Sequence, residues 1–262
     1  MKSIKRNVCR VLACLVVVTS AQKASADMLS RLESAGVVRM GIPQDSPPFG
    51  IPGPDMKIIG YDIDMANLIG KKLGLRVAMV PTISGNRVPL LQSNRIDIIV
   101  ASLGKNPERA KVVDFSIAYA PYFLGVYSAR DVTLTAPADL AGKTIGVIRG
   151  AIEDLEITKI APPSTTIQRF DDAAGQASAF MAGQVNVIAT SNVAAAALTS
   201  RAPSKAPIMR FPLKDSPCYI GVPKGETALL NKINAIIEEA KSDGTLNNMS
   251  KTWFQAELPA GF

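Results

Sequence analysis

An apolar stretch near residue 100 ends in residue types that are able to bind an anion. In "IVASLGKNPERAK" the hydrophobic run stops at Ser102 and Gly104, and Arg109 follows that serine by seven residues. A guanidinium pairs with a carboxylate through two parallel hydrogen bonds, and backbone N–H groups near a glycine add further donors. The same spacing also suits a solvated helix arginine, because Pro107 is able to open a helix at its first turn. Spacing alone leaves both interpretations of Arg109 open.

Two other segments also allow either a ligand-binding or a purely structural interpretation. "VIRGAIEDL" predicts a strand, a turn at Gly150 and a helix that starts at about Ala151. The first-turn N–H groups of a helix are unpaired and attract anions, although an ordinary strand-to-helix turn has the same pattern. Phe49 follows Pro47-Pro48, and it either covers a ligand or belongs to the core.

The composition excludes several kinds of chemistry. None of the 262 residues is histidine. That removes Ser-His-Asp and Cys-His catalysis, together with the commonest protein ligand of metals. The chain also has no basic stripe with interleaved aromatic residues, which is the pattern of nucleic-acid binding. We therefore expect no metal, no cofactor and no nucleic-acid partner.

The first 26 residues, "MKSIKRNVCRVLACLVVVTSAQKASA", predict a secretory signal peptide. Positive charges precede a short apolar run at residues 11–18, and Ala24-Ser25-Ala26 gives a small-x-small cleavage pattern. The run is too short to span a bilayer. We expect cleavage after Ala26 and export to the periplasm.

Cleavage would change the charge and the cysteine count. The segment holds five basic and no acidic residues, so the formal charge falls from +7 to +2. Cys218 becomes the last cysteine, which excludes an internal disulfide, and we expect it to be a buried structural thiol.

The rest of the chain alternates strand and helix patterns. "VVRMGI" predicts a strand over Val37 to Ile42, and "YDIDMANLIGKKLGL" predicts a helix that Asp62 caps and Gly74 ends. "RVAMVP" follows as the next strand. Short links in a β-α-β unit predict parallel strands and a right-handed crossover.

Two separated stretches have the same pattern. "LLQSNRIDIIVAS" and "AFMAGQVNVIATS" superpose without gaps and align Ser102 with Ser191. They predict strands at Ile96 to Leu103 and at Val185 to Thr190, the first buried on both faces because nearly every residue is apolar. In open α/β sheets ligands bind beyond the carboxyl ends of strands. Unless the likeness is chance, Ser102 and Ser191 face each other across a cleft between two α/β lobes.

Six segments in this order resemble the amino-acid-binding family of periplasmic solute-binding proteins, which feeds ABC importers. They are "GIPQDSPPFG", "IIGYDIDMANLIGKKLGL", "LLQSNRIDIIVASLGKNPERAKVVDFS", "DLAGKTIGVIRG", "AGQVNV" and "DGTLNNMSKTWF". The resemblance implies an α/β fold with two lobes, each a mostly parallel sheet flanked by helices. Residues 27–120 and 217–262 would form the first lobe and residues 121–216 the second. "YAPYFLGVYS" and "DSPCYIGVP" would be two crossover strands about which the lobes close.

The resemblance also implies roles for individual residues. Phe49 matches the family's aromatic ring that covers the ligand, and Arg109 matches the arginine that pairs with the α-carboxylate. The remaining matched positions are the strand end and the helix start that meet the ligand, namely Ser102, Gly104, Ala151 and Ile152. The family usually has Thr or Ser at the helix start. This chain would therefore keep the backbone N–H donors there but lack the side-chain hydroxyl.

Two departures concern the opposite end of the ligand. Ser191, between Thr190 and Asn192, stands where the family usually has the acid that binds the α-amino group. Ser84 stands where the family often has an aromatic residue in the first lobe. Losing a hydrogen bond to a charged group, worth about 1.5–3 kcal/mol, would cost an ordinary amino acid about one to two decades of affinity. Either another acid replaces it or the ligand is not a standard amino acid. Arg87 is a candidate for an additional contact.

The sequence thus predicts a monomeric binding protein, not an enzyme, that delivers a small carboxylate to an ABC permease in the inner membrane. The ligand would be an amino acid or a derivative. One alternative is a periplasmic enzyme of the same fold, similar to a cyclohexadienyl or arogenate dehydratase, which would need a general acid in the cleft. The nearest acids are Asp45, Glu108, Glu153 and Asp154, and the sequence assigns none of them to the cleft. A soluble sensor that contacts a membrane receptor is the other alternative.

Overall fold

The strands of the protein follow the predicted alternation with helices. A computed structural model describes residues 27–44 and 46–262, so the predicted signal peptide and the candidate acid Asp45 lie outside the described residues. The strands are β1 (Val37–Pro43), β2 (Ile51–Pro52), β3 (Ile58–Ile59), β4 (Arg76–Thr82), β5 (Ile98–Leu103), β6 (Val113–Ala120), β7 (Phe123–Ser128), β8 (Thr144–Ile148), β9 (Thr166–Phe170), β10 (Val187–Ser191), β11 (Ile208–Asp215) and β12 (Cys218–Pro223).

Helices cover the strands and connect them. Within the described part of the chain, none of the helices is both long and apolar enough to cross a membrane. They are α1 (Met28–Ala35), α2 (Tyr61–Leu73), α3 (Arg87–Gln92), α4 (Pro107–Ala110), α5 (Ile152–Ile160), α6 (Ala173–Met181), α7 (Asn192–Arg201), α8 (Thr227–Ser242) and α9 (Thr245–Phe254).

Ten of these strands form two five-stranded sheets. The first sheet has the order β4-β1-β5-β12-β6, and the second has the order β11-β7-β10-β8-β9. Only β12 in the first sheet and β7 in the second run against their neighbours, so four strands of each sheet point the same way. The prediction of mostly parallel sheets is therefore confirmed. The chain crosses between the sheets from β6 to β7 and returns from β11 to β12.

Helix α2 begins differently from our expectation. Gly60 precedes the helix with a φ of 147°, and Gly74 ends it in the left-handed conformation, as predicted. Asp62 does not cap the helix. It lies inside the first turn, fully buried, and its carboxylate accepts a hydrogen bond from the Tyr119 hydroxyl. The capping prediction was wrong because Asp62 points into the core, where another polar group binds it.

The two repeated stretches have the same local structure. Asn94 and Gly183 occupy the aligned turn positions, with φ angles of 55° and 72°. Both strands start later than predicted, because the N–H groups of Ile96 and Val185 still donate to the preceding helical turns, to the carbonyls of Leu90 and Ala179.

Strand β5 is buried on both faces, as its composition predicts. Ile98 and Val100 pack into one hydrophobic cluster with α2 and α8. Ile99 and Ala101 point to the opposite face and pack into another. Cys218 in the neighbouring strand is also fully buried, which confirms the prediction of a structural thiol.

Candidate functional site

The ends of β5 and β10 meet at a cavity between the two sheets. Its volume is about 120 Å³, several times the ~30 Å³ that one water molecule occupies in the liquid. This is the scale of a small metabolite. Ten of the eleven candidate residues line it: Phe49, Ser84, Arg87, Ser102, Gly104, Arg109, Ala151, Ile152, Thr190 and Ser191.

The end of β5 approaches the second sheet closely. Ser102 has a φ of 40°, an uncommon conformation for a residue other than glycine, and its N–H donates to the Tyr119 hydroxyl. A Cβ on Gly104 would lie 2.6 Å from Ile152 Cγ1 and 2.8 Å from Ser216 Oγ. Glycine at position 104 therefore allows the start of α5 to close over the end of the strand.

Arg109 connects the two walls of the cavity. Its position is fixed by Asn106, whose side chain caps α4 by accepting the Arg109 N–H at 2.7 Å. The guanidinium donates to the Gly104 carbonyl at 2.7 Å and to the Gly150 carbonyl at 2.9 Å. Burial lowers the pKa of Arg109 to about 10, so it stays charged at neutral pH. A guanidinium carries five N–H groups, and these two bonds leave donors for a ligand.

The start of α5 supplies backbone donors next to Arg109. Ala151 precedes the helix in an extended conformation and has no side chain with which to cap it. The first-turn N–H groups have no acceptor within the helix, and the helix dipole favours a negative charge there. The Ala151 N–H donates to the Ile148 carbonyl at 3.0 Å, so of these two candidates only Ile152 offers a main-chain donor at the cavity wall.

Glu153 is a cavity residue that the sequence did not assign. Its side chain is buried and lines the cavity. Burial raises the pKa of the Glu153 carboxyl to about 7, although its own backbone N–H, Arg109 and Arg87 draw that pKa down. The sequence could have indicated Glu153, because it lies in the first turn of the helix whose start, Ala151 and Ile152, was predicted to contact the ligand.

Glu108 and Asp154, the two other candidate acids that the structure describes, do not line the cavity. Glu108 is exposed and pairs with Lys111 at 2.6 Å. Asp154 accepts hydrogen bonds from the Gly150 N–H at 3.0 Å and from Arg169 at 2.9 Å, so it braces the turn before α5.

Ser191 and the residues on either side of it, Thr190 and Asn192, supply no acidic side chain to this wall of the cavity. Ser191 is buried, and its hydroxyl caps α7 by accepting the Ala194 N–H at 3.0 Å. Thr190 lines the cavity beside it, whereas the Asn192 side chain turns away and accepts the Phe123 N–H at 3.2 Å. Asn192 is thus the one candidate that the structure does not bring to the cavity.

Phe49 is a buried core residue whose ring also reaches the cavity wall. It lines the cavity, and it is 2% exposed within an aromatic cluster. Its ring centroid lies 5.5 Å from that of Tyr122 and 5.3 Å from that of Phe254.

Arg87, at the start of α3, reaches the cavity wall as a buried side chain, and Ser84 lies one turn before it.

Sequence comparison identifies the family. Residues 38–256 match the family described as "Bacterial extracellular solute-binding proteins, family 3". The chain belongs to this family.

Curated relatives of this solute-binding protein match along nearly its whole length. The L-cystine-binding protein TcyJ of Escherichia coli K12 is 26% identical over 95% of this chain and 94% of its own length. The ABC transporter glutamine-binding protein GlnH of Bacillus subtilis is 26% identical over 91% of this chain and 88% of its own.

Solved structures of similar proteins share the fold. The cysteine-binding protein of Campylobacter jejuni superposes with a TM-score of 0.82 at 27% identity, covering 90% of this chain and 96% of that one. The ancestral amino-acid-binding protein AncCDT-1, described as a precursor of cyclohexadienyl dehydratase, gives 0.78 at 26% identity, covering 86% and 99%. The family therefore includes binding proteins, and one solved neighbour is described as the precursor of an enzyme.

Proposed function

We propose that this solute-binding protein captures an amino acid or a derivative and delivers it to the permease of an ABC importer. The observation that carries the proposal is the placement of Arg109, which bonds to carbonyls on both walls of the cleft and lies beside the start of α5. A guanidinium and helix N–H groups together suit a carboxylate. The similar proteins that bind cystine and glutamine agree with this ligand class.

Binding in this proposal is coupled to closure of two lobes. Residues 27–120 and 217–262 would move as one lobe and residues 121–216 as the other, with the hinge between β6 and β7 and between β11 and β12. A ligand that contacts both walls stabilises the closed form by its differential affinity for that form. The permease would then recognise the closed form.

The proposal places the mature protein in the periplasm as a monomer, after cleavage behind Ala26. Family membership supports an extracytoplasmic location. A sensor role at a membrane receptor uses the same closure, and deletion of the permease separates the two roles, since only an importer loses uptake.

The test is ligand-induced thermal stabilisation of the mature protein against a panel of amino acids, opines, polyamines and keto acids. Arg109→Ala should abolish the stabilisation and leave the unliganded fold intact. Arg76→Ala is the matched control, because Arg76 is exposed on the edge strand β4. An Arg109→Ala variant that binds as tightly as wild type would overturn the carboxylate site.

An enzymatic role is the second candidate, and Glu153 is the observation that favours it. A buried carboxyl with a pKa of about 7 meets the requirement for a general acid. We propose binding without turnover, because the curated relatives are binding proteins. Incubation with a cyclohexadienyl carboxylate, followed by absorbance of the aromatic product, tests this. Turnover that Glu153→Gln abolishes would establish the enzyme instead.

A further inference from the structure

One acidic side chain faces the cavity without a hydrogen bond from any other described residue. Glu153 is 5% exposed, and among the described lining residues it is the one that carries a carboxyl. Within the described part of the chain, its own backbone N–H is the hydrogen-bond donor that this carboxyl has. A carboxylate offers about four acceptor positions, and burying it is costly unless donors and cations replace its lost hydration. Glu153 therefore keeps acceptor capacity for a ligand.

The other buried carboxyl of this region does not face the cavity. Asp62, in the first turn of α2, is fully buried and is not among the lining residues. It accepts a hydrogen bond from the Tyr119 hydroxyl, and the charge of Arg87 lowers its pKa. Asp62 and Glu153 together offset the guanidiniums of Arg87 and Arg109. Net charge therefore does not select the ligand, and the position of each group matters instead.

Glu153 and Arg109 act on each other at the start of α5. The charge of Glu153 raises the pKa of Arg109, and the charge of Arg109 lowers that of Glu153. Arg109 also bonds to the Gly150 carbonyl, three residues before Glu153. The cavity thus has a cation and an anion close to each other on one wall. An α-amino acid carries its carboxylate and its ammonium on the same carbon, so its two charges complement this pair.

We propose that Glu153 accepts the α-ammonium of the ligand while Arg109 binds the α-carboxylate, so that the cleft takes zwitterionic α-amino acids and discriminates against carboxylates without the amine. This inference rests on the proposed function and narrows its ligand class. The acid for the ammonium then comes from the start of α5 instead of the end of β10. At that end, Ser191 supplies no charge, and its hydroxyl already accepts the Ala194 N–H.

A bound ammonium would add to the groups that keep Glu153 ionised. Burial raises the pKa of Glu153 to about 7, and Asp154 raises it further, whereas Arg109 and Arg87 lower it. A cation within hydrogen-bond distance favours the carboxylate over the carboxylic acid. The ligand therefore supplies at Glu153 the compensation that the described residues provide in part.

The experiment compares ligands that differ in the α-amine alone, on the mature protein. Isothermal titration uses L-glutamine with glutaramate, L-leucine with 4-methylpentanoate and L-arginine with 5-guanidinopentanoate. In each pair that binds, the amino acid should bind more tightly by roughly 10- to 100-fold, the range for a hydrogen bond to a charged group. Deamino acids that bind as tightly as their amino acids would overturn the inference, while the proposed function would stand. Absence of binding by these acids, by every standard L-amino acid and by L-cystine would overturn both.

Glu153→Gln assigns the group that binds the amine. This nearly isosteric change should lower the affinity of each amino acid to that of its deamino partner and leave the deamino acid unchanged. General damage to the cleft would weaken both. Glu108→Gln is the matched control, because it removes the same charge at an exposed position that pairs with Lys111. Melting temperatures show whether the variants fold, and Glu153→Ala, which buries no amide, replaces Glu153→Gln if that variant does not.

Asp45→Asn and Ser191→Ala test the other candidates for the ammonium. Both variants should keep the preference for the amino acid over the deamino acid. A preference that persists in Glu153→Gln would overturn the assignment of Glu153, and its loss in Asp45→Asn or Ser191→Ala would then show which residue binds the ammonium.

Discussion

The Nη2 atom of Arg109 lies 2.9 Å from the carbonyl oxygen of Gly150. Arg109 belongs to α4, which connects β5 and β6 of the first sheet, whereas Gly150 follows β8 of the second sheet. The bond therefore links the two sheets across the cleft. A carboxylate that binds Arg109 meets a guanidinium whose orientation is already fixed, which reduces the entropy lost on binding.

Gly104→Ala should weaken ligand binding by roughly 5- to 150-fold, since a new methyl group costs about 1–3 kcal/mol where the packing has no space. The methyl group would lie 2.6 Å from Ile152 Cγ1, so the walls could not approach fully. Isothermal titration measures the affinity, and small-angle scattering shows whether the liganded protein stays open.

Gly85→Ala is the control for that change. A Cβ at Gly85 would lie 3.6 Å from the Arg149 carbonyl, an ordinary contact at the same cleft. Equal losses in the two variants would argue against a specific closing contact at Gly104.

Binding of an amino acid should strengthen as pH rises from 6 to 8. The pKa of Glu153 is raised to about 7 by burial, so its carboxylate becomes available for an ammonium across this range. Arg109 and Arg87 favour the ionised form, and Asp154 opposes it. Affinity should increase by up to about tenfold, following the ionised fraction.

Glu153→Gln should flatten that profile, and a keto acid should show no gain with pH in the wild-type protein. Titration calorimetry in two buffers of different ionisation enthalpy counts the protons released on binding. An equally steep profile in Glu153→Gln would assign the titration to another group.

Tyr119→Phe should lower the free energy of unfolding by about 1–3 kcal/mol, the cost of leaving a buried polar group without its partner. The Tyr119 hydroxyl donates to the Asp62 carboxylate and accepts the Ser102 N–H at 3.1 Å. Burial raises the pKa of Asp62 to about 7, and the hydrogen bond from Tyr119 lowers it. Urea unfolding measures the loss.

Tyr219→Phe is the matched control, because the Tyr219 ring is partly exposed and packs edge-on against Phe115. If both variants lose the same stability, the hydroxyl of Tyr119 contributes nothing beyond ring packing. Since Ser102 lines the cavity, Tyr119→Phe should also weaken ligand binding.

Local patterns predicted much of the fold. The left-handed turns at Asn94 and Gly183 follow from residue type, and the buried strand β5 follows from its unbroken apolar run. The role of Asp62 did not follow, because capping is a local rule and the Tyr119 hydroxyl that binds Asp62 is distant in sequence.

Part of the site was likewise predictable from local patterns, and part of it depends on tertiary packing. Ser102 and Ser191 could be placed on the cleft, because both end strands of repeated units. The charge of the cleft could not be derived, because it depends on which way Glu153 and Arg87 point from their helices. Helix periodicity gives that direction only after the packing of α5 and α3 is known.

In the Glu153→Gln background, Ser191→Asp should improve the binding of neutral L-amino acids by roughly 10- to 100-fold, the range for a hydrogen bond to a charged group. Aspartate caps a helix as well as serine does, so the bond to the Ala194 N–H is retained while a carboxylate enters the cleft. The decisive measurement uses the double variant Ser191→Asp, Glu153→Gln. Restored affinity for L-glutamine, relative to Glu153→Gln alone, would show that one acid in the cleft is needed and that either wall is able to hold it. Unchanged affinity would mean that position 191 does not face the ammonium.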